Sequence, residues 1–511
     1  MQGKSRTEKS FKNSIVALGF YVLNLVLQFF SRKIFLEYLG TEILGLNTTA
    51  MNLLQFLNLA ELGINVAVGF TLYKPLHDND RESVNEIVTL QRFLYRRIAF
   101  IIIIAAAVLM CFFPMIFSKI ALPLWYAYAS FGVLLFSALL GYFVNYKQTV
   151  LTANQEDYKV FYSYKSVMIA KTFAQMIAVA YLPNAYVWWI VLEGVFAILG
   201  SMTLTYMTKV TFPYLKTVNL PYKSLRTKYP DFTHKIKQLF FHKIGSFAMT
   251  QMSPLLVYAF TTLTMVALYG NYLIIIQGLT ILLTSIYNGL NAGVGHLVTE
   301  RNQQRNLEVL YELLSSQIWI GGTICYGLWV LTPDFIVWWV GDEYLLPEST
   351  LWILVITFFI NLPRLNIGAF ITGFGLYKDI WAPVAECLIN VAVSIALGSF
   401  MGLDGVLIGA LASVFVMIYC WKPYFVFKYG FESSCKPYIY KNIKLTAIFC
   451  LIWALVTFIS NHMSMPDELI ARMSVKMVQI LVFSTILATI LYLTDSGARQ
   501  FLSRIKKLVK H

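Results

Sequence analysis

Apolar residues run in blocks of about twenty along nearly the whole chain, the length a helix needs to cross a ~30 Å hydrocarbon layer. The blocks do not alternate apolar and polar positions, so they predict helices and not the strands of a membrane barrel. Fourteen spans are expected, at 14–36, 43–72, 97–118, 121–144, 166–183, 185–206, 242–266, 272–294, 313–333, 349–372, 379–399, 404–425, 443–461 and 473–494. The first two are joined by a short turn, EYLGTE (37–42). The second is unlike a plain lipid-filling helix. It carries Asn47, Thr48, Thr49, Asn52, Gln55, Asn58, Glu61 and Asn65 in an otherwise apolar run. A glutamate at the bilayer centre costs roughly 2–4 kcal/mol even on lenient scales. Glu61 is therefore expected to be shielded by water or protein, on a helix that lines a polar interior.

Composition agrees with this pattern. Of 511 residues, 58% are hydrophobic and 13% charged, against about 25% charged in a soluble domain. The expected fold class is all-α integral membrane. The basic start KSRTEKSFKN precedes an apolar block too long for a signal-peptide core, and no small-residue cleavage site follows it, so that block is expected to stay as the first span. With the N-terminus in the cytoplasm, 34 of the 40 Lys and Arg fall in cytoplasmic segments or the span ends beside them. This asymmetry supports both the span count and two cytoplasmic termini. The other six are Arg32, Lys33, Lys119, Arg364, Arg472 and Lys476. The net charge of +14 follows from the same bias, with no nucleic-acid partner implied. Six dispersed cysteines without a Cys-x-x-Cys pair suggest neither a metal site nor a disulfide framework. No cofactor is expected. No GxxxxGK[ST] occurs, so ATP hydrolysis has no support.

The chain echoes itself. At an offset of 230 residues Gly40 meets Gly270, Asn58 meets Asn288, Gly63 meets Gly293, Asn47 meets Gln277 and Glu61 meets Asn291. Further on, TANQEDYK (152–159) resembles TGFGLYK (372–378), each joining the fourth span of a half to the fifth. Two six-helix bundles are expected, 1–206 and 242–425. A basic cytoplasmic linker, 207–241, separates them, and two further spans with a basic tail follow at 426–511. The linker is expected to anchor at the lipid surface. The tail places Phe501, Leu502, Ile505, Leu508 and Val509 on one face, as an interfacial amphipathic helix does. Repeats of this kind are usual in secondary transporters.

The 6+6+2 arrangement resembles the multidrug/oligosaccharidyl-lipid/polysaccharide exporter superfamily. RKIFLEYLGTEILGLN (32–47), NLAELGINVAV (58–68), HKIGSFAMTQMSPLLVYAFTTLTMVALYGNY (242–272) and LTANQEDYK (151–159) are similar to the flippases that export O-antigen or capsule repeat units. The resemblance implies a V-shaped pair of bundles around a central cavity. It implies a transporter, not an enzyme, in the bacterial cytoplasmic membrane. Such a protein moves undecaprenyl-diphosphate-linked oligosaccharide to the outer leaflet by alternating access, for surface polysaccharide synthesis. Its partners would be that lipid, membrane lipids and other polysaccharide-assembly proteins. A cation-coupled multidrug antiporter of the same superfamily is the alternative, although it would usually stop at twelve spans. A membrane polymerase or ligase is disfavoured by external loops that hold almost no basic residues.

The candidate site residues are ionisable or amide groups at depth. Arg32 either snorkels to the outer headgroups or faces the cavity and binds a diphosphate. First-span arginines of the related lipid II flippases serve the cavity, which implies the second. Glu61 lies ~20 Å from Lys74 along the helix, too deep to reach an interface. It is a structural hydrogen-bonding partner or a cavity residue, with proton or sodium coupling as one role. Glu193 sits half-way through its span, in a helix–helix contact or a coupling site. Arg364 and Glu386 lie eleven residues either side of Gly375, hence at one depth ~15 Å in. They form a structural ion pair, or an arginine released by substrate phosphate or by protonation of Glu386 as a coupling group, and Pro363 is expected to break the helix beside it. Lys171 is expected to snorkel. Asn58, Asn288 and Asn291 could hydrogen-bond sugar hydroxyls or pack helices.

Overall fold

A computed structural model describes residues 6–61, 64–118, 120–230, 253–300, 302–376, 379 and 381–509. Among them the regular elements are all helices. Among the described residues, eleven helices are long and apolar enough to cross a membrane. The expected spans 14–36 and 43–72 begin in one long helix, Arg6–Leu57. Ser166–Tyr181 has 16 residues, and 242–266 lies partly outside the described residues. Outward faces are apolar, as lipid requires: Ile104 is 65% exposed and Phe400 86%.

The expected turn at 37–42 is a kink at a single residue. Gly40 takes φ 81° and ψ 172° inside the long helix, a conformation open to glycine at little cost. The second span is not continuous either. The helix stops at Leu57, a tight 3₁₀ turn covers Asn58–Glu61, and Ile64–His77 resumes. Nothing equivalent occurs at 288–291, which lies within the unbroken helix Leu263–Thr299.

The echo between 152–159 and 372–378 is visible in the backbone. Gln155 (φ 58°) and Gly375 (φ 67°) are both left-handed. Glu156 N–H bonds Leu151 O at 2.9 Å and Gln155 N–H bonds Thr152 O at 3.0 Å; Leu376 N–H bonds Ile371 O at 2.9 Å and Gly375 N–H bonds Thr372 O at 3.1 Å. Both are Schellman caps, built on the 6→1 and 5→2 pattern. Asn13 holds the first in place: its Nδ2 donates to Gln155 O and its Oδ1 accepts from Tyr158 N–H, each at 3.0 Å.

The chain divides into two compact units, Met1–Ala267 and Leu268–His511. The boundary falls beyond the 207–241 segment because residues on both sides of 242 pack on the first unit. Tyr258 OH donates to Ile116 O at 2.6 Å. A Cβ on Gly45 would meet Leu263 O at 2.0 Å, so only glycine admits that approach.

The described part of the basic linker is strapped to protein. Asn85 exchanges hydrogen bonds with Tyr214 O (3.2 Å) and Lys216 N–H (2.9 Å), and Thr89 Oγ1 accepts from Val218 N–H at 3.0 Å. Buried Glu86 takes Lys228 at 2.8 Å and Tyr229 OH at 2.6 Å. These acceptors sit on helix Arg81–Cys111, which starts sixteen residues before the expected span because Asp80 caps it through Ser83 N–H. The tail helix Ser496–Val509 is likewise docked. Phe501 is buried against Trp319, Arg504 pairs with Glu312 at 2.8 Å, and Asp495 pairs with Lys441 at 2.8 Å. The side chains of Ile505, Leu508 and Val509 lie outside the described residues.

Candidate functional site

In the first unit the break after Leu57 places two polar side chains on one short turn. Asn58 Oδ1 accepts from Tyr142 OH at 3.1 Å, and Glu61 Oε1 accepts from Tyr95 OH at 2.9 Å. The two phenol rings meet edge to face, centroids 5.5 Å apart. One turn further, Thr149 OH donates to Asn65 Oδ1 at 2.7 Å and accepts from Gln91 Nε2 at 2.9 Å. This polar seam runs through an apolar cluster that includes Ala67, Val68, Ile98 and Val150. A carboxylate at this depth survives because a phenol supplies the hydrogen bond that water would otherwise give. Glu61 is half-buried, so it retains acceptor capacity. Glu61 therefore has a hydrogen-bonding partner; the partners Tyr95, Tyr142, Gln91 and Thr149 were not among the expected site residues. The stretches 84–95 and 139–150 mix polar and apolar residues, so nothing in the sequence singled these four out.

Arg32 is part-buried, and its Nη2 donates to Ala267 O at 2.8 Å. The guanidinium is thus bound by protein. Lys171 corrects its expected snorkelling. Its Nζ lies 2.7 Å from Glu193 Oε1, and both side chains are largely buried. Gln175 Nε2 donates to Glu193 Oε2 at 3.1 Å and to Trp189 O at 3.2 Å. Glu193 thus ties Ser166–Tyr181 to Ala185–Thr211.

In the second unit Pro363 separates Glu348–Asn361 from Pro363–Gly373. Arg364 follows the break. Its Nη2 lies 2.5 Å from Glu386 Oε1 and its Nε donates to Asn361 Oδ1 at 2.9 Å. The pair is lopsided: the Arg364 side chain is 44% exposed and that of Glu386 5%. A planar fork with donors left over can take a second anionic oxygen. Beside it Asn366 Nδ2 binds Gln317 Oε1 at 2.6 Å and Leu313 O at 3.1 Å. The structure therefore joins Arg364 to Glu386 and puts Asn58 and Glu61 on one turn. The side chains of Asn288 and Asn291 lie outside the described residues. Among the described residues no group of three or more His, Cys, Asp and Glu is placed to hold a metal.

No protein-family model and no curated protein sequence matches the chain. Solved structures do. The lipid II flippase MurJ in an inward closed conformation superposes with TM-score 0.64 at 13% identity, covering 94% of this chain and 98% of its own. An inward-facing multidrug-resistance MATE transporter of the MOP superfamily gives 0.57 at 13%, covering 81% and 97%. An outward-facing one gives 0.54 at 14%, covering 82% and 95%. The chain has the all-helical membrane fold that these transporters share.

Proposed function

We propose that the chain is a flippase that carries an undecaprenyl-diphosphate-linked oligosaccharide from the inner to the outer leaflet of a bacterial cytoplasmic membrane, for surface polysaccharide synthesis, by alternating access. The problem such a protein solves is electrostatic. A diphosphate sugar head is anionic and strongly hydrated, and passing it through hydrocarbon unaided strips water from charge. A path lined by amides, phenols and a few arginines replaces that water. A membrane potential negative inside would then favour outward movement by ~2.3 kcal/mol per charge per 100 mV.

The observation that carries the reading is the second-unit arginine. Arg364 is deep in the chain's apolar span and balanced by a buried acid, yet nearly half of its side chain is open. That exposure leaves guanidinium donors open to a second anionic oxygen. Arg364 would hold the diphosphate, and Glu386 would keep the guanidinium in place between substrates. Asn58 and the half-buried Glu61 would meet sugar hydroxyls, with Glu61 also the candidate for proton or sodium coupling.

The multidrug antiporter remains the second reading, since the fold accommodates it. What favours the flippase is the C-terminal pair of helices. MurJ matches 94% of the chain and the two MATE structures 81% and 82%, and 426–511 makes up about a sixth of it. The test is deletion of the gene. Sugar-loaded carrier should accumulate on the cytoplasmic leaflet and surface polysaccharide should disappear. Normal polysaccharide with heightened sensitivity to cationic drugs would favour the antiporter.

A further inference from the structure

Arg92, Arg96, Lys147 and Lys209 bring positive charge together in the first unit. Arg92 and Arg96 stand one turn apart on Arg81–Cys111, so they share a face. The positions just before them fix this stretch against its neighbour. Gln91 Nε2 donates to Thr149 Oγ1 at 2.9 Å, and the Tyr95 ring meets that of Tyr142. Residues 91–96 therefore run beside 142–149, which includes the 3₁₀ turn Asn145–Lys147. That turn also packs on Ala185–Thr211, near whose end Lys209 stands.

The charges act on one another. Burial first, and then Arg92 and Lys209, push the Lys147 ammonium below its ordinary value. Burial pushes the Tyr146 hydroxyl up, against the opposing pull of Arg92 and Arg96. Among the described residues none of the four cations pairs with an acid. Lys159 and Lys228 of the same unit, by contrast, take Glu156 and Glu86, each at 2.8 Å. The bias of basic residues toward the cytoplasm accounts for cations at these helix ends. It does not account for their convergence, because like charges held together repel, and more so where water is excluded. A bound anion would offset that repulsion.

Depth narrows the anion. Arg96 lies one residue before the expected span 97–118, and Lys147 and Lys209 lie three residues after 121–144 and 185–206. Charge asymmetry makes all three ends cytoplasmic, so the cluster sits at the level of the inner-leaflet headgroups. Four residues toward the hydrocarbon, ~6 Å along a helix, Phe100 follows Arg96 and Phe143 precedes Lys147. The two rings meet edge to face with centroids 6.4 Å apart, and they are 61% and 38% exposed. A soluble phosphate would use the cations alone. An amphiphile would use both features, its phosphate at the cations and its chain on the rings.

We propose that this is a binding site for an anionic phospholipid of the inner leaflet. Arg92 and Arg96 would take the phosphate oxygens. Lys147 and Lys209 would add to the attraction, and an acyl chain would lie over Phe100 and Phe143. The site does not involve Arg364, so it stands whichever substrate the protein carries.

The test titrates dioctanoyl phosphatidylglycerol into the full-length protein in a neutral maltoside detergent and follows the melting temperature. A saturable rise is expected, absent with dioctanoyl phosphatidylcholine and with inorganic phosphate at equal concentration. Arg92→Gln with Lys147→Gln should weaken the apparent affinity at least about tenfold. It should leave the melting temperature in detergent alone unchanged or higher, since it relieves repulsion. Arg96→Gln with Lys209→Gln changes only exposed side chains and should weaken binding too, which keeps the test decisive if the first variant folds poorly. Lys216→Gln with Lys223→Gln, both exposed on the linker, should leave the affinity within about twofold. No rise with phosphatidylglycerol, an equal rise with phosphatidylcholine or inorganic phosphate, or undiminished affinity in the Arg96 and Lys209 variant would overturn the proposal. An equal loss in the linker variant would overturn it as well, since general surface charge would then explain the binding.

Discussion

Arg364 and Glu386 are unequally placed, and the inequality decides what each substitution does. Arg364→Ala strands a carboxylate that is 5% exposed, a loss of about 3–5 kcal/mol. Glu386→Gln leaves a guanidinium that can turn toward water, at about 1 kcal/mol. Melting of the detergent-solubilised protein should therefore rank Arg364→Ala well below Glu386→Gln. Arg364→Lys keeps the charge and loses the fork, so it separates stability from transport. Export should fall while protein remains in the membrane, and unchanged surface polysaccharide would remove Arg364 from the site. The two left-handed caps give a second contrast. A Cβ on Gly375 meets nothing within 4 Å, so Gly375→Ala should cost only its backbone penalty, about 1 kcal/mol, and Gln155→Gly should recover about as much. Melting curves check both signs. Sequence arithmetic reaches this scale further than expected. Counting eleven residues either way from Gly375 brought Arg364 to Glu386. The same count from Leu182 brings Lys171 to Glu193, a pair overlooked because nearby Lys165 made snorkelling the simpler account. Tyr95 and Tyr142 were not legible, since a tyrosine in an apolar run looks the same whether its O–H meets a buried acid or a headgroup.

At the scale of elements, each unit is fastened at one end by a basic segment that clasps a buried acid near the start of a long helix. In the first, Lys228 and Tyr229 hold Glu86 on Arg81–Cys111. In the second, Arg504 holds Glu312 on Gln303–Trp339. These contacts join residues 142, 143 and 192 positions apart, a separation at which no periodicity speaks, which is why both segments looked like surface anchors. Glu86→Ala should release the strap, seen as trypsin cleavage at Lys223, Arg226 or Lys228 in membranes where the native protein resists. The tail adds a pH dependence. Burial pushes the Asp495 carboxyl up, but Lys441, Ser315 Oγ and the Ala498 N–H outweigh it and hold the pKa below its ordinary 3.8. A depressed carboxyl contributes stability that is complete above its unfolded value and is lost as pH falls through the folded one. The share of the docking of 496–504 that Asp495 contributes should thus be complete at neutral pH and be lost below about pH 4. An environment-sensitive dye on Ser503→Cys reads the transition, and Asp495→Asn should remove the part of it that Asp495 contributes, leaving the part carried by Glu312 and Arg504.

For the whole molecule, helical class and membrane character followed from block length and charge asymmetry, because lipid permits few other solutions. The interruption at 58–61 and the division at 267/268 did not, since both depend on which helices meet. The account stands or falls on translocation. Purified protein in liposomes carrying undecaprenyl-diphosphate-linked oligosaccharide on the inner leaflet should expose that sugar to a membrane-impermeant glycosidase within minutes, and Arg364→Lys should slow the exposure. Sugar that stays protected, at the rate of protein-free liposomes, under an imposed potential and under proton and sodium gradients alike, would contradict it.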